Sequence, residues 1–170
     1  MAMPETLQTK RLSLRRLGPE DLDVVHSLFS SPGHTIGNGP VRNKAETLAW
    51  LERRHKLHRE NGLAWYGVRE RDESFVGSCG VFLGDRCRDE PEIGYEIDVS
   101  QRRRGYAREA ASIVTQAVHA AGHVHVWATI RPANLASVRI ARTIGYHLVR
   151  SEADSKGDLE YYLDAVGGLA

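Results

Sequence analysis

Three consecutive arginines stand directly before a glycine and a helix-forming run in QRRRGYAREA, residues 101–110. A helix N-terminus already carries partial positive charge, because its first N–H groups lack intrahelical partners and the helix dipole adds to them. Further cations at this end cost stability unless an anion binds there. Gly105 lets the backbone approach such an anion closely, and Ala107 keeps the first helical turn small. The stretch therefore predicts that a phosphate-bearing ligand binds at the start of a helix; the alternative is a solvated basic turn in which the glycine serves only the backbone geometry.

Two acids just upstream are candidates for proton transfer. In PEIGYEIDV, residues 91–99, the odd positions are apolar from Ile93 onward, and Glu92 and Glu96 fall on the same nominal face of a predicted strand. A positioned carboxylate can accept a proton from a reacting group. The alternative is that both acids belong to a charged, solvent-facing surface of a sheet.

A second polar pair follows in NLASVRIARTIG, which predicts a short helix. Asn134 and Ser137 stand three residues apart at its start, so both face one side of the helix. Either the pair contacts a ligand, or Asn134 is only the N-cap of this helix.

The elements that position these residues can be predicted from patterning. RLSLRRL (11–17) alternates as an edge-type strand does, and helices are expected from about residue 19 and over 44–60. The segment 30–40 reads as a glycine- and proline-rich loop. The remaining pattern predicts a strand hairpin, the strand 91–99, a long helix, a strand, a short helix and a final strand pair. This order indicates a mixed α/β sheet in one domain.

Composition excludes several classes of protein. The chain has 170 residues and a formal net charge of +1, which gives no global attraction to nucleic acid or to acidic membranes. No apolar run approaches a membrane span, and the start of the chain has no apolar signal core. Two cysteines make no secreted disulfide framework, so we expect a cytoplasmic protein. The two cysteines match no metal-ligand spacing, and no carboxylate or cysteine completes a ligand set with His119, His123 and His125, so no metal is expected.

The usual nucleotide motifs are absent. No G-x-x-x-x-G-K-[ST] run exists, and no G-x-G-x-x-G follows the first strand. The pattern that does occur, Arg102-x-x-Gly105-x-Ala107 between a strand and a long helix, resembles the acyl-CoA pyrophosphate loop of the GNAT N-acetyltransferases. Together with EIGYEID and IRPANLASVRIARTIGY (130–146), it is similar to the RimJ/RimL-like branch of that family.

The resemblance implies a fold and a set of roles. The fold would be a GNAT-like mixed, mostly antiparallel central sheet with a splayed parallel strand pair and flanking helices, in a single domain over 1–170 with its core at about 7–165. Glu92 or Glu96 would act as general base, and Ser137 would protonate the departing sulfur. Acetyl-CoA would contact Ile97, Asp98, Val99, Arg102, Arg103, Arg104, Gly105, Tyr106, Ala107, Asn134 and Ser137.

The resemblance thus implies an acyl-CoA-dependent N-acetyltransferase that acts on a primary amine, either a protein N-terminus or a small molecule, by direct attack in a ternary complex. Many family members carry a tyrosine seven residues after the asparagine, where this chain has Ala141; Tyr146 and Tyr162 are weaker candidates for the acid. The competing hypothesis is a catalytically silent acyl-CoA-binding or sensing module. No nucleic acid or membrane partner is expected, and the sequence is compatible with a homodimer.

Overall fold

An eight-stranded sheet runs through the molecule, and helices cover both of its faces. The computed structural model describes residues 1–34 and 40–166. The strands are β1 (Thr6–Gln8), β2 (Leu12–Arg16), β3 (Trp65–Glu70), β4 (Phe75–Leu83), β5 (Pro91–Ile97), β6 (His125–Ile130), β7 (His147–Asp154) and β8 (Gly157–Ala165). The helices are α1 (Leu22–Phe29), α2 (Lys44–Asn61), α3 (Tyr106–Ala120) and α4 (Leu135–Thr143).

The strand order is β1-β2-β3-β4-β5-β6-β8-β7, and β5 with β6 is the parallel pair among otherwise antiparallel neighbours. This confirms the predicted mixed α/β fold with a parallel strand pair. The predicted edge strand differs, and β5 ends two residues earlier than predicted, at Ile97. β2 pairs with both β1 and β3, so it is not the edge strand that its alternation suggested. The edge is β1, whose three residues are too few to show an alternating pattern.

The larger core lies between the sheet and α3. Residues at helical spacing on α3, including Ala110 and Val114, are fully buried. They belong to the same apolar cluster as Ile93 and Ile97 of β5. This packing fixes the start of α3 beside the end of β5, which is where the arginine turn lies.

The opposite face of the sheet is covered by α1 and α2. Trp65 on β3 is buried there with Phe29 of α1 and Leu51 of α2. Its ring lies across β5 at Gly94, where an added Cβ would stand 2.6 Å from the indole. Gly94 is therefore needed for close approach of the tryptophan ring, and larger residues there would displace it.

The long helix predicted over 44–60 is confirmed as α2. The Asn43 side chain caps it by accepting the N–H of Glu46 at 3.0 Å, and Gly62 ends it in the left-handed region at φ 73°. Of the predicted loop at 30–40, residues 35–39 lie outside the described part. Among the helices that the structure describes, none combines the length and apolarity needed to cross a membrane.

Candidate active site

The arginine turn connects β5 to α3 as predicted. The chain leaves β5, forms a 3-10 turn at Val99–Gln101, and enters α3 through Gly105, whose φ is 81°. Gly105 occupies the N-cap position and offers no side-chain cap to the helix. The first-turn N–H groups of α3 therefore point out of the helix end, where an anion can accept them.

Contacts from the N-terminal region hold this turn in place. The Arg11 guanidinium lies 2.7 Å from the Glu109 carboxylate and donates to the Arg104 carbonyl at 2.9 Å. Thr9 donates to the same carboxylate at 2.6 Å. Glu109 sits in the first turn of α3, where a negative charge is favourable. The helix start is thus tied to the beginning of β2.

A cleft of about 710 Å³ opens between the start of α3 and α4. Its walls include most of the residues predicted to contact acetyl-CoA. These are Ile97, Arg102, Arg103, Arg104, Gly105, Tyr106, Ala107, Asn134 and Ser137. Asp98 and Val99 do not line the cleft. The Asp98 carboxylate accepts the N–H of Ser100 at 2.9 Å, and Val99 packs against Gly33.

The three arginines have different surroundings. The guanidinium of Arg102 turns back toward the sheet, where it donates to the Ile97 carbonyl at 2.9 Å and to the Gly33 carbonyl at 2.7 Å. Arg103 and Arg104 are exposed at the mouth of the cleft. Arg103 adopts φ 66°, a left-handed conformation that a non-glycine residue rarely takes. Arg103 and Arg104 are thus exposed to a ligand, with Arg104 also donating to Gln101 Oε1 at 2.9 Å, whereas the Arg102 guanidinium turns into the protein.

The structure shows which parts of Tyr106 and Asn134 face the cleft, which the sequence could not predict. The Tyr106 ring is buried, its hydroxyl donates to Glu70, and the Arg11 guanidinium covers its face. Tyr106 therefore offers the cleft its backbone at the helix start. Asn134 is the N-cap of α4, and its Oδ1 accepts the Ser137 N–H at 3.2 Å.

Tyr95 is a cleft residue that sequence reasoning missed. It lies on the same face of β5 as Ile97, and its hydroxyl donates to the Ser137 carbonyl at 3.4 Å. Burial raises the pKa of Tyr95 to about 12, so it stays a proton donor at neutral pH. The sequence showed that Tyr95 alternates with the two glutamates. Because its neighbours on the same strand face are apolar, the pattern favoured a packing role for Tyr95.

Glu92 is buried on the opposite face of β5. Only 5 % of its surface is exposed. One carboxylate oxygen accepts the hydroxyl of Thr129, and the other lies 3.6 Å from the Cys87 thiol. Burial raises the pKa of Glu92 because it disfavours the charged form, and these hydrogen bonds offset the rise only in part.

Glu96 is also buried, with 3 % of its surface exposed, but it faces a cation. Its Oε1 lies 2.5 Å from the Arg102 guanidinium, and its Oε2 lies 3.4 Å from His34 Nδ1. Glu92 and Glu96 do share one face of the strand, since β4 and β5 pair without a register shift from Leu83–Pro91 to Gly77–Ile97. Neither acid is part of a solvent-facing surface.

β5 and β6 pair only near the start of β5. β5 and β6 are in register at Glu92 and Trp127, and no further pair is formed along the described strands. Beyond this point the two strands no longer pair, and the cleft on the Tyr95 side lies next to the face that carries Glu92. A side chain on the Glu92 face of β5 can therefore act, through the unpaired stretch, on a group that is bound on the Tyr95 face.

Comparison with known proteins identifies this architecture. Residues 11–147 match the family model of the acetyltransferase (GNAT) domain. The chain belongs to the GNAT family. It is 26% identical over 163 residues to the uncharacterised N-acetyltransferase p20 of Bacillus licheniformis. The alignment covers 91% of each chain.

Solved GNAT structures have the same fold. A GNAT-family acetyltransferase from Bordetella pertussis superposes with a TM-score of 0.85 at 18% identity, over 95% of this chain and 100% of that one. RimL, a ribosomal L7/L12 alpha-N-protein acetyltransferase solved with coenzyme A, has a TM-score of 0.82 at 18% identity, over 97% and 98%. Because the family model matches most of the chain and its relatives are named N-acetyltransferases, the chain is an acetyl-CoA-dependent N-acetyltransferase.

The cleft fits the acetyl-CoA that a GNAT enzyme uses. The uncapped start of α3 supplies N–H donors for a diphosphate, and the exposed arginines supply charge. Arg108 and Arg139 line the same cleft and were not predicted. Arg108 stands in the first turn of α3 and Arg139 stands on α4, so only the packing of the two helices brings them together.

Two further expectations concern groups outside the cleft. Ala141, which replaces the family tyrosine, is buried in the core, and Tyr146 and Tyr162 are buried away from the cleft with bonds to Thr115 and Glu160. Among residues 1–34 and 40–166, no group of three or more His, Cys, Asp and Glu side chains is placed to hold a metal ion.

Proposed function

We propose that this enzyme transfers the acetyl group directly to a primary amine in a ternary complex, with Glu92 as the general base. The observation that carries the proposal is the gap beyond the Glu92–Trp127 pair. The cleft proposed for acetyl-CoA lies at the Tyr95 face of β5, and the buried Glu92 carboxylate lies on the other face. An amine that enters from the Glu92 face would meet a thioester that lies along the Tyr95 face.

Binding of acetyl-CoA would use the cleft as follows. The α3 N–H groups and Arg103, Arg104 and Arg108 would hold the phosphates. The pantetheine arm would lie along the β6-facing edge of β5 past Tyr95 and Ile97, where the strands have separated. Arg102 would act indirectly, since its guanidinium already bonds Glu96 and two backbone carbonyls.

The chemical step needs one proton acceptor and one proton donor. The amine nitrogen attacks the thioester carbonyl carbon, a C–N bond forms, and the C–S bond breaks. The proton lost by the amine goes to Glu92, whose raised pKa makes it a stronger base than an exposed glutamate. The departing thiolate takes a proton from the Ser137 hydroxyl or from the Tyr95 hydroxyl, which both belong to residues that line the cleft.

The favoured acceptor is the α-amine of a protein N-terminus. The RimJ/RimL-like motifs at 92–146 support this choice, and a small-molecule amine is the second candidate. An α-amine titrates near pH ~8 and a lysine side chain above ~10, so an N-terminal amine requires less help from a base.

The test is acetyl-CoA turnover against a panel of N-terminal peptides, polyamines and aminoglycosides, read as free thiol. We expect peptide-dependent thiol release and N-acetylated product by mass spectrometry. Acetyl-CoA that binds tightly, with no thiol released for any amine, would instead support the silent binding module to which Ala141 pointed.

A further inference from the structure

Arg54 of α2 is enclosed by aromatic rings on the Glu92 side of the sheet. Its guanidinium carbon lies 5.1 Å from the ring centre of Trp50, 5.2 Å from that of Trp65 and 5.1 Å from that of Phe82. We call these four residues the arginine cage. Ring faces attract a cation, so the cage offsets part of the cost of burying this charge.

The cage leaves hydrogen-bond donors without acceptors. In the part of the chain that the structure describes, Arg54 has no carboxylate partner, and its buried Nε has no hydrogen-bond partner. The buried indole N–H of Trp65 also has none. Burial lowers the pKa of Arg54 to about 10, and Arg53 adds to this effect, so the group remains charged at neutral pH.

Such an arrangement is costly for the protein alone. A buried donor without an acceptor is destabilising, and more so when it is charged. Aromatic faces balance charge, but they do not replace the oxygen acceptors that guanidinium N–H groups require. Two unpaired donors of the same cage therefore point to an anionic ligand group that the free protein lacks.

The cage adjoins the proposed base. Phe82 stands directly opposite Glu92 in the β4–β5 register. A Cβ added to Gly84 would lie 3.3 Å from the Phe82 ring and 3.6 Å from Glu92 Oε2. The ring and the carboxylate therefore lie next to each other beside Gly84. The Trp65 ring lies over Gly94, between Glu92 and Glu96 on this face.

We propose that the arginine cage is a carboxylate subsite, in which Arg54 and the Trp65 indole bind an acidic group that the acceptor carries close to its amine. This inference rests on the proposed function, because it assigns the acceptor to the Glu92 face. Arginine pairs with a carboxylate through two parallel hydrogen bonds, which fixes orientation as well as position. For an N-terminal acceptor, the acidic group is an Asp or Glu side chain in the first residues after the amine.

The test compares C-terminally amidated peptides that differ only in Asp against Asn, or Glu against Gln, at the second or third residue. With wild-type enzyme and saturating acetyl-CoA, we expect kcat/KM about tenfold or more higher for the acidic member of at least one pair. Arg54→Gln should reduce that preference to within about twofold. Arg53→Gln removes a neighbouring exposed charge and should keep the preference.

A binding readout separates this proposal from the activity. Two of the three tryptophans belong to the cage, so its occupation should change tryptophan fluorescence in the CoA-loaded protein. A saturable change with acidic peptides that is lost in Arg54→Gln supports the subsite even if no peptide is acetylated. Equal turnover and equal fluorescence change for the acidic and amide members overturn the subsite, while the proposed acetyl transfer stands.

Discussion

The two ends of β5 carry the same side chain in different surroundings. Glu92 is enclosed by a hydroxyl and a thiol, both neutral, and burial raises its pKa. Glu96 is equally buried but faces the Arg102 guanidinium at 2.5 Å. A buried carboxylate without a cation is ready to take a proton, whereas one in an ion pair holds neighbouring structure together.

This contrast assigns different tasks to acids that the sequence could not separate. Glu96 joins the end of β5 to the arginine turn and, through Arg102, to the loop at Gly33. Glu92 stands where β5 and β6 begin to separate. Under the proposed mechanism, position along the strand, and not residue type, distinguishes the base from the structural acid.

The largest expected effect comes from Glu92. Glu92→Gln keeps the shape of the side chain and removes the base, so turnover should fall by about 10²-fold or more while acetyl-CoA affinity is unchanged. Steady-state kinetics and calorimetric titration measure the two. A turnover in Glu92→Gln equal to that of wild type would mean that water or the substrate handles the proton.

Breaking the ion pair at the other end should affect stability first. Arg102→Gln leaves Glu96 buried without its guanidinium, so the free energy of unfolding should fall by about 2 kcal/mol in urea denaturation. Arg104→Gln, an exposed matched change, should leave stability within about 0.5 kcal/mol and weaken acetyl-CoA binding. If Arg102→Gln weakens binding as much as Arg104→Gln and leaves stability intact, Arg102 is a phosphate ligand after all.

The cleft face offers a test that is independent of both acids. Ser137→Ala and Tyr95→Phe each remove one hydroxyl, and the variant that lacks the proton donor should lose roughly tenfold in kcat with little change in acetyl-CoA affinity. The donor is expected to be Ser137. A loss confined to Tyr95→Phe would transfer the role to Tyr95, and two unaffected variants would show that neither hydroxyl is the proton donor.

A smaller change should sharpen the surroundings of Glu92. Thr129→Val removes the hydroxyl that lowers the pKa of Glu92. The pKa should therefore rise further, the carboxylate form should be lost at a higher pH, and the acidic limb of kcat should move upward with about a threefold loss at neutral pH. A pH–rate profile of wild type and variant measures this shift. An unchanged acidic limb would mean that the titration of Glu92 does not control kcat.

Local patterns were sufficient to predict much of this site. The alternation at 91–99 predicted a strand that the structure contains over Pro91–Ile97. The arginines before Gly105 and Asn134 at a helix start predicted the turn and the cap. These features depend on residues close together in the chain. The same applies to α2, whose cap and terminating glycine are adjacent to it in sequence.

Other features depend on distant segments and could not be predicted. The burial of both acids requires Cys87 at one end of β5 and the loop at Gly33 at the other. The inward turn of Arg102 follows from Glu96, and the arginine cage joins α2 to β3 and β4. Side-chain direction at such sites is set by tertiary packing, which spacing along the chain does not contain.

The most direct test of Glu92 as the base is the pH dependence of kcat with saturating acetyl-CoA and an N-terminal peptide, in wild type and in Glu92→Gln. If Glu92 takes the proton of the bound amine, wild-type kcat should level off below the pH of ~8 at which a free α-amine becomes neutral, and the variant should keep rising through that pH. Coincident profiles in the two proteins, at equal rates, would contradict the assignment.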